Sequence, residues 1–300
     1  MSGFHDVLMF ASDQELADGT RELIEAGVMA GDLVLVVGDQ QELGVLRDAW
    51  DDDPRITFTH RDEVYEHPMR TIAEYQRLLD RERENGAQLR VTGPVPFGED
   101  ARRRRGWMIY EALIDRAFAA YPFRSLCQYD TRTTPNELVE HARETHERIF
   151  SRTDVSPGNG RGAEVLAELT RADAADVVES GPVVYADVLT GVGDLSGFRA
   201  AMRTAPESLV FAANEIAANA LVHGSPPVDV RLRKGAEDWQ CVVSDRGPGL
   251  LDPYAGIDSP LHDELEVGGR GLWLARQACD RLTITADPGT GTTVRLEHRV

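Results

Sequence analysis

Short apolar runs alternate with longer amphipathic stretches over residues 1–150, and this rhythm restricts the fold more than any other feature. The apolar runs read "DVLMF", "LVLVVG", "ITFTH", "LRVTG" and "LCQYD", and helical patterns separate them at 13–27, 39–50, 68–84, 100–120 and 135–149. Strands that alternate with helices form an open, mostly parallel sheet that helices cover. A ligand of such a sheet is expected at the carboxyl ends of the strands.

A stretch rich in Ser, Gly, Pro and Asn, "SRTDVSPGNGRGAE" at 151–164, has no apolar periodicity. Such composition is typical of an interdomain linker. We therefore predict a first domain at 1–152, a linker at 153–163 and a second domain at 164–300.

The order of elements changes in the second domain. Helical patterns near 194–203 and 206–223 precede the apolar runs "VDVRLRK" and "QCVVSD", a Gly-rich connection, the helical pattern "GLWLARQACD" and the final runs "LTITAD" and "TTVRLEH". This order predicts an α/β domain with helices on one face of a mixed sheet. Both domains are thus assigned to the α/β class.

The chain is strongly acidic: 32 Lys and Arg stand against 51 Asp and Glu, a formal charge of −19. Such an excess repels nucleic acids and anionic membranes. The run Arg102–Arg105 is interpreted as the solvated start of a helix, because no other basic cluster accompanies it. Cys127, Cys241 and Cys279 suggest neither a disulfide framework nor a Cys-x-x-Cys metal site. With no membrane-length apolar run and no signal-peptide pattern, we expect a cytoplasmic protein without direct nucleic-acid or membrane binding.

The apolar stretch "NEIAANALVHG" contains two polar groups, Glu215 and Asn219. A spacing of four places both on one helical face, where they can act on a common object. Taken alone, the pair is more simply a solvent-facing, hydrogen-bonded couple. His223, one turn further on, is interpreted as a helix-end residue because Gly224 follows it.

Three Gly-containing segments follow this helix. In "SDRGPGLLDP", Asp245 enters a turn with Gly247 and Gly249, where a carboxylate can accept a hydrogen bond from an exocyclic amine, although an ordinary Asp-Gly turn is the alternative. The start of "GGRGLWLARQACD" exposes backbone N–H groups that suit phosphate oxygens. The connection 250–267 is long enough to act as a mobile lid. Last, "GTGTTVRL" offers the hydroxyl of Thr292.

In this order, the four segments resemble the N, G1, G2 and G3 boxes of the GHKL ATPases over residues 206–296, and within them the anti-sigma-factor serine kinases. The resemblance implies that the cofactors are ATP and Mg²⁺, with Asn219 as the metal ligand, Asp245 reading the adenine amine and Thr292 supporting the adenine through water. Glu215 is expected to act as the base for an incoming hydroxyl. The remaining nucleotide-binding candidates are glycines of the boxes and one neighbouring leucine: Gly247, Gly249, Gly268, Gly269, Gly271 and Leu272.

Segments such as "FHDVLMFASDQELADG", "MIYEALIDRAF", "LCQYDTR" and "ARETHERIF" resemble the MEDS sensory domain, named for methanogen and methylotroph sensors, over nearly all of residues 4–150. The positions typical of that family are His5, Tyr110, Glu111, Tyr129, Asp130 and His146. The chain departs from the family patterns Cys-Pro-Tyr-Asp and Thr-His-Pro, because Gln128 and Glu147 replace the prolines.

These resemblances predict a cytoplasmic regulator in which a sensory domain controls an anti-sigma module. The module would phosphorylate an anti-sigma-factor antagonist of the STAS type on Ser or Thr and sequester a sigma factor, and a homodimer is left open. The alternative is an ATP-gated binding module without phosphoryl transfer, since "DLSGFRAAMRTAPESL" is shorter than the equivalent segment of related kinases. A histidine kinase with His146 as phosphoacceptor is a remote option.

The sequence also predicts coupling between the domains. The lid at 250–267 is acidic, and we expect it to lie near the basic run Arg102–Arg105 of the first domain. Exposed pairs of this kind are usually weak.

Overall fold

A computed structural model of the chain describes residues 4–50, 53–152, 154–176, 179–250, 252, 254–257, 270–287 and 289–300. The chain divides into two units, Met1–Leu169 and Thr170–Val300. The segment predicted as the linker, 153–163, contributes a short strand and the start of a helix. The two units meet after Leu169, which lies later in the chain.

The first unit is built on a seven-stranded sheet. Its strands are β1 (Phe4–Phe10), β2 (Leu33–Gly38), β3 (Ile56–His60), β4 (Leu89–Pro94), β5 (Phe123–Asp130), β6 (Arg148–Phe150) and β7 (Val155–Pro157). They lie in the order β3-β2-β4-β5-β1-β6-β7. All neighbours are parallel except β6 and β7. The open, mostly parallel sheet is therefore confirmed.

The helices of this unit are α1 (Asp13–Ala30), α2 (Gln40–Trp50), α3 (Arg61–Val64), α4 (Pro68–Glu84), α5 (Ala101–Ala117) and α6 (Asn136–Thr145), and α7 (Gly162–Ala175) crosses the boundary between the units. Ser12 and Asp100 begin α1 and α5, because each side chain accepts a hydrogen bond from a backbone N–H of the first turn. Arg102–Arg105 lie in the first turns of α5, exposed or half-buried. Val34, Val36 and Val37 of β2 are fully buried, as expected for a sheet that is covered on both faces.

The second unit is a five-stranded sheet with helices packed on it. Its elements are β8 (Val183–Leu189), α8 (Leu195–Ala201), α9 (Glu207–His223), β9 (Val228–Lys234), β10 (Asp238–Ser244), α10 (Gly271–Ala278), β11 (Arg281–Asp287) and β12 (Gly291–Arg299). The strands lie in the order β11-β12-β10-β9-β8, and every neighbouring pair is antiparallel. The expectation of a mixed sheet was wrong, since the long connection that contains α8 and α9 returns the chain antiparallel to β8.

Helix α9 forms the centre of the second core. Ala212, Ala213, Ile216, Ala217 and Ala220 are buried and pack with the inner residues of the sheet. The alanines keep the helix backbone close to the strands, so any polar group at the helix margin is held at a fixed depth. Within the described residues, no helix combines the length and apolarity needed to cross a membrane.

Candidate functional site

Helix α9 places Glu215 and Asn219 against the first residue of α10. A methyl group on Gly271 would lie 2.9 Å from Glu215 Oε2 and 3.3 Å from Asn219 Nδ2. Only glycine fits this approach without displacing one of the two side chains. Both side chains are half-buried, so the pair faces the start of a second helix, whose backbone N–H groups suit phosphate oxygens.

The turn after β10 orients Asp245. Its Oδ1 accepts a hydrogen bond of 2.7 Å from the backbone N–H of Gly247, and its backbone N–H donates to the carbonyl of Thr292 at 2.9 Å. The Thr292 hydroxyl oxygen in turn accepts from the backbone N–H of Leu250 at 2.9 Å. Gly291 (φ 107°) packs against the Asp245 carbonyl, where a Cβ would clash. In the part of the chain that the structure describes, no hydrogen bond engages Asp245 Oδ2 or the Thr292 hydroxyl hydrogen.

These side chains line one cavity of about 310 Å³. Asn219, Asp245 and Thr292 supply its polar groups, and the rest of the lining is largely apolar: Ile216, Ala220, His223, Gly224, Val243, Pro248, Gly249, Leu250, Leu272 and Val294. A concave, mostly apolar pocket with a few convergent polar groups is the usual form of a small-molecule site. Its size and polarity suit an adenine ring, with the Asn219 end toward the start of α10.

A short polar chain supports Glu215, and the sequence reasoning missed it. Asn214 Nδ2 lies 3.3 Å from Glu215 Oε1 as a donor, and Arg199 Nη1 on α8 donates to Asn214 Oδ1 at 2.8 Å. The side chain of Asn214 therefore links the guanidinium of Arg199 to the carboxylate of Glu215 by two hydrogen bonds. In the sequence, Arg199 belongs to no spacing motif, so no pattern marked it as a neighbour of this pair.

Part of the predicted nucleotide site lies outside the described residues. This applies to Gly268 and Gly269 and to residues 251, 253 and 258–267 of the lid, including its acidic residues Asp258, Asp263, Glu264 and Glu266. Of the described part, the carbonyl of Ala255 accepts a 2.9 Å hydrogen bond from Arg276 Nε of α10.

In the first unit, four of the six sensory candidates come together in the interior: His5, Glu111, Tyr129 and His146. His146 Nε2 lies 3.5 Å from Glu111 Oε1, and the Tyr129 hydroxyl donates to Glu111 Oε2. The rings of His5 and His146 are 4.0 Å apart at their centroids. A buried thiol, Cys127, joins them, with Sγ 3.3 Å from His5 Nε2.

The two other candidates lie elsewhere. Tyr110 packs its ring on Trp107 at 5.1 Å and is buried among aromatic side chains. Asp130 ends β5 and forms an ion pair of 2.7 Å with Arg132, whose guanidinium lowers the pKa of that carboxyl. Neither residue is brought to the cluster.

Burial dominates the titration of the clustered groups. It raises the pKa of Glu111 and raises that of Cys127 well above its ordinary value, whereas it lowers the pKa of His146 well below the usual range. For His5, burial lowers the pKa, but the neighbouring carboxylates, Asp115 first and then Glu111 and Asp6, together outweigh it and the net shift is upward. His146 is fully buried, so its ring does not offer a nitrogen to an incoming phosphoryl donor.

Cys127 has no nearby cysteine, so its position in the sequence did not indicate a metal ligand. What brings it to the cluster is the parallel pairing of β1 and β5, in which His5 stands opposite Ser125, two residues before Cys127. The cluster therefore sits on one face of the sheet beside α5, and not at the carboxyl ends of the strands where a ligand was expected.

Comparison with known protein families finds one matching family model within each unit. The antiparallel sheet with helices on it is consistent with a GHKL-type domain. Residues 194–298 match the family model described as histidine kinase-like ATPase domain, and residues 4–147 match the MEDS model, the methanogen/methylotroph, DcmR sensory domain. The chain thus joins a MEDS sensory domain to a histidine kinase-like ATPase domain.

Among solved structures, a mycobacterial sensor histidine kinase, MprB, shares 22% identity over 31% of this chain and 70% of its own, with a TM-score of 0.25. No curated protein matches the chain.

Proposed function

We propose that the protein is a signalling regulator whose second domain binds ATP with Mg²⁺ and whose first domain governs that binding. The observation that supports this most is the single cavity that joins Asn219 of α9, Asp245 of the β10 turn and Thr292 of β12. Three elements far apart in sequence bring a carboxamide, a carboxylate and a hydroxyl to one pocket, whose size suits an adenine ring.

The residues present fit the nucleotide and its metal. The carboxamide oxygen of Asn219 is the hard oxygen ligand that Mg²⁺ prefers, and the close approach that Gly271 allows brings the start of α10, whose backbone N–H groups suit phosphate oxygens, beside it. ATP supplies the transferable phosphoryl group when bound. Glu215, one turn before Asn219 and supported through Asn214, would take the proton of an attacking hydroxyl.

The finer proposal is that the domain is an anti-sigma module. It would transfer phosphate to a Ser or Thr of a STAS-type antagonist and would sequester a sigma factor when the antagonist is phosphorylated. This step rests on the order of the four boxes in the sequence. The position of Glu215 supports the kinase activity, because its carboxylate lies beside Gly271 at the start of α10, where phosphate oxygens would bind.

The test is phosphoryl transfer from radiolabelled ATP to a panel of STAS-type antagonists. Glu215→Gln should retain ATP affinity and lower transfer by about 10²–10⁴-fold, the usual scale of a general base. Glu207→Gln, an exposed carboxylate in the first turn of the same helix, is the matched control and should transfer at the parent rate.

Unchanged transfer in Glu215→Gln would contradict the role of Glu215 as the base. If the parent binds ATP and transfers nothing to any antagonist, the protein is instead the ATP-gated binding module that the sequence left as the alternative.

A further inference from the structure

The buried cluster of the first unit contains four side chains of metal-ligating type. They come from four separate elements: His5 of β1, Glu111 of α5, Cys127 of β5 and His146, directly after α6. One ligand atom from each lies within 4.8 Å of all the others. Neither the ATP site nor the core packing explains why an acid, a thiol and two imidazoles meet there.

Among the described residues, three buried atoms of the cluster have no hydrogen-bond partner, His5 Nδ1, Glu111 Oε1 and His146 Nε2, and the last two belong to facing side chains. Both side chains are fully buried. An unsatisfied polar group in the interior costs about 1–3 kcal/mol, and more when it is charged. Because the two atoms face each other at 3.5 Å, a single cation between them would satisfy both.

The outer ring atom, Nδ1, of each histidine faces an oxygen atom, which favours Nε2 of both histidines as the ligand atom. His146 Nδ1 lies 2.8 Å from the carbonyl oxygen of Ala142, and His5 Nδ1 lies 3.6 Å from Asp115 Oδ2. A proton on each Nδ1 leaves a lone pair on each Nε2, which points into the cluster. Backbone carbonyls and carboxylates hold metal-binding histidines in this way, and the bond from Tyr129 to Glu111 orients the carboxylate similarly.

The spacing and the charge fit a divalent ion. Metal–ligand bonds of about 2.0–2.3 Å in a tetrahedral site place the ligand atoms roughly 3.3–3.8 Å apart. Two separations, 3.3 Å between His5 Nε2 and Cys127 Sγ and 3.5 Å between Glu111 Oε1 and His146 Nε2, fall in that range. All of the ligand atoms lie within 4.8 Å of one another, so the longer separations would shorten when the ion binds. A thiolate and a carboxylate together balance the two positive charges, so the filled site is neutral in a buried environment.

We infer that the first domain binds one divalent transition metal ion through His5, Glu111, Cys127 and His146, and that Zn²⁺ is the ion that this donor set fits best. Thiolate and imidazole ligands select Zn²⁺ and its neighbours over Mg²⁺ and Ca²⁺, which require oxygen ligands. Four protein ligands close the coordination sphere, which is typical of a structural or sensory site rather than a catalytic one. The ion would tie β1, α5, β5 and the end of α6 together.

The experiment uses the full chain. After removal of metal with a chelator, Zn²⁺ is titrated in competition with a chromogenic chelator, and Co²⁺ is added to a second sample for absorption spectroscopy. We expect one ion per chain and, with Co²⁺, intense ligand-field bands of a tetrahedral ion and a thiolate-to-cobalt charge-transfer band. Cys127→Ser should abolish that band, and Cys127→Ser and His146→Gln should each lower the Zn²⁺ affinity by about 100-fold or more.

Matched controls are Cys241→Ser, a buried thiol of the second unit, and His141→Gln, a buried histidine of α6 outside the cluster. Both should bind Zn²⁺ as the parent does. Because the cluster is buried and its variants can lose the fold, Asp115→Asn at the surface serves as a second variant, with an expected loss of about 10–100-fold. A parent that takes up no stoichiometric ion, or whose Co²⁺ form lacks the thiolate band, would overturn the inference.

Discussion

Burial governs the chemistry of single side chains in the first unit. His141 on α6 is 5% exposed, and its ring packs edge-on against Phe97. Burial lowers its pKa to about 4, a hydrogen bond that the ring donates to the backbone of Met108 opposes the shift, and the charge of His5 adds a smaller lowering. The folded protein therefore holds this imidazole neutral under conditions in which the unfolded chain protonates it.

This predicts an acid-sensitive contribution to stability. The folded pKa of His141 lies below the unfolded value of 6.5, so its contribution is fully present above pH 6.5 and is lost as the pH falls toward 4. Between pH 7.5 and 5 the loss amounts to about 2 kcal/mol in the free energy of unfolding. Urea denaturation at both values should show a smaller loss in His141→Gln than in the parent, whereas His60→Gln, at a partly exposed histidine, should behave as the parent. Equal losses in the parent and His141→Gln would contradict the assignment.

At the scale of elements, the approach of α10 to α9 shapes the phosphate end of the proposed ATP site. Gly271→Ala adds a methyl group at 2.9 Å from Glu215 Oε2, and such overpacking costs about 1–3 kcal/mol. We therefore expect MgATP affinity to fall by about tenfold in calorimetric titration. Gly197→Ala on α8, where a Cβ meets open space, is the matched control and should bind MgATP normally. Parent-like affinity in Gly271→Ala would mean that the pair does not face the ligand.

A buried ion pair joins the end of α1 to β4. Asp32 Oδ2 accepts from Arg90 Nε at 2.7 Å, and Oδ1 accepts from the backbone N–H of Gln88 at 3.1 Å, with both side chains under 10% exposed. Asp32→Ala leaves a buried guanidinium uncompensated and should lower the free energy of unfolding by about 3–5 kcal/mol. Glu74→Ala, which removes an exposed partner of Arg77, should have no measurable effect in the same urea titration. A loss of less than 1 kcal/mol in Asp32→Ala would show that the pair is not the buried tie described here.

The long elements of the fold were predictable, and the short or exposed ones were not. Helix α4 begins and ends at the predicted residues, 68–84. Its start was predictable because proline is favoured at the first position of a helix, where Pro68 stands. The predicted helix 135–149 instead ends at Thr145, since His146 is extended and the chain then forms β6. Strand β8 is largely exposed and has no clean alternation of apolar and polar residues, so no pattern marked it.

The two sites differ in the same way. Asn219, Asp245 and Thr292 could be predicted as nucleotide-binding candidates because four local motifs in this order are typical of an ATP site. Cys127 could not be placed in a metal site, because the ligands of the cluster are single residues from separate elements, and only the register of β1 and β5 brings them together.

At the scale of the whole molecule, the proposal requires communication between the domains. If the lid at 250–267 responds to the first domain, hydrogen exchange of the lid in the full chain should differ from that in a shorter chain starting near residue 160. Identical lid protection in both would remove the coupling hypothesis. Adding ATP to each sample is the control, because a folded ATP site in the shorter chain should still gain protection.

The central claim is that the second domain binds ATP and that Asp245 accepts a hydrogen bond from the adenine amine. This carboxylate uses Oδ1 for Gly247 and would use Oδ2 for the adenine amine, whereas the carboxamide of an asparagine has a single acceptor oxygen and cannot serve both. Calorimetric titration of the full chain with ATP and Mg²⁺ tests this directly. We predict one site per chain and an affinity loss of about 1–3 kcal/mol in Asp245→Asn, with no loss in Asp229→Asn on the neighbouring strand β9. No binding by the parent, or equal affinity in Asp245→Asn, would contradict the account.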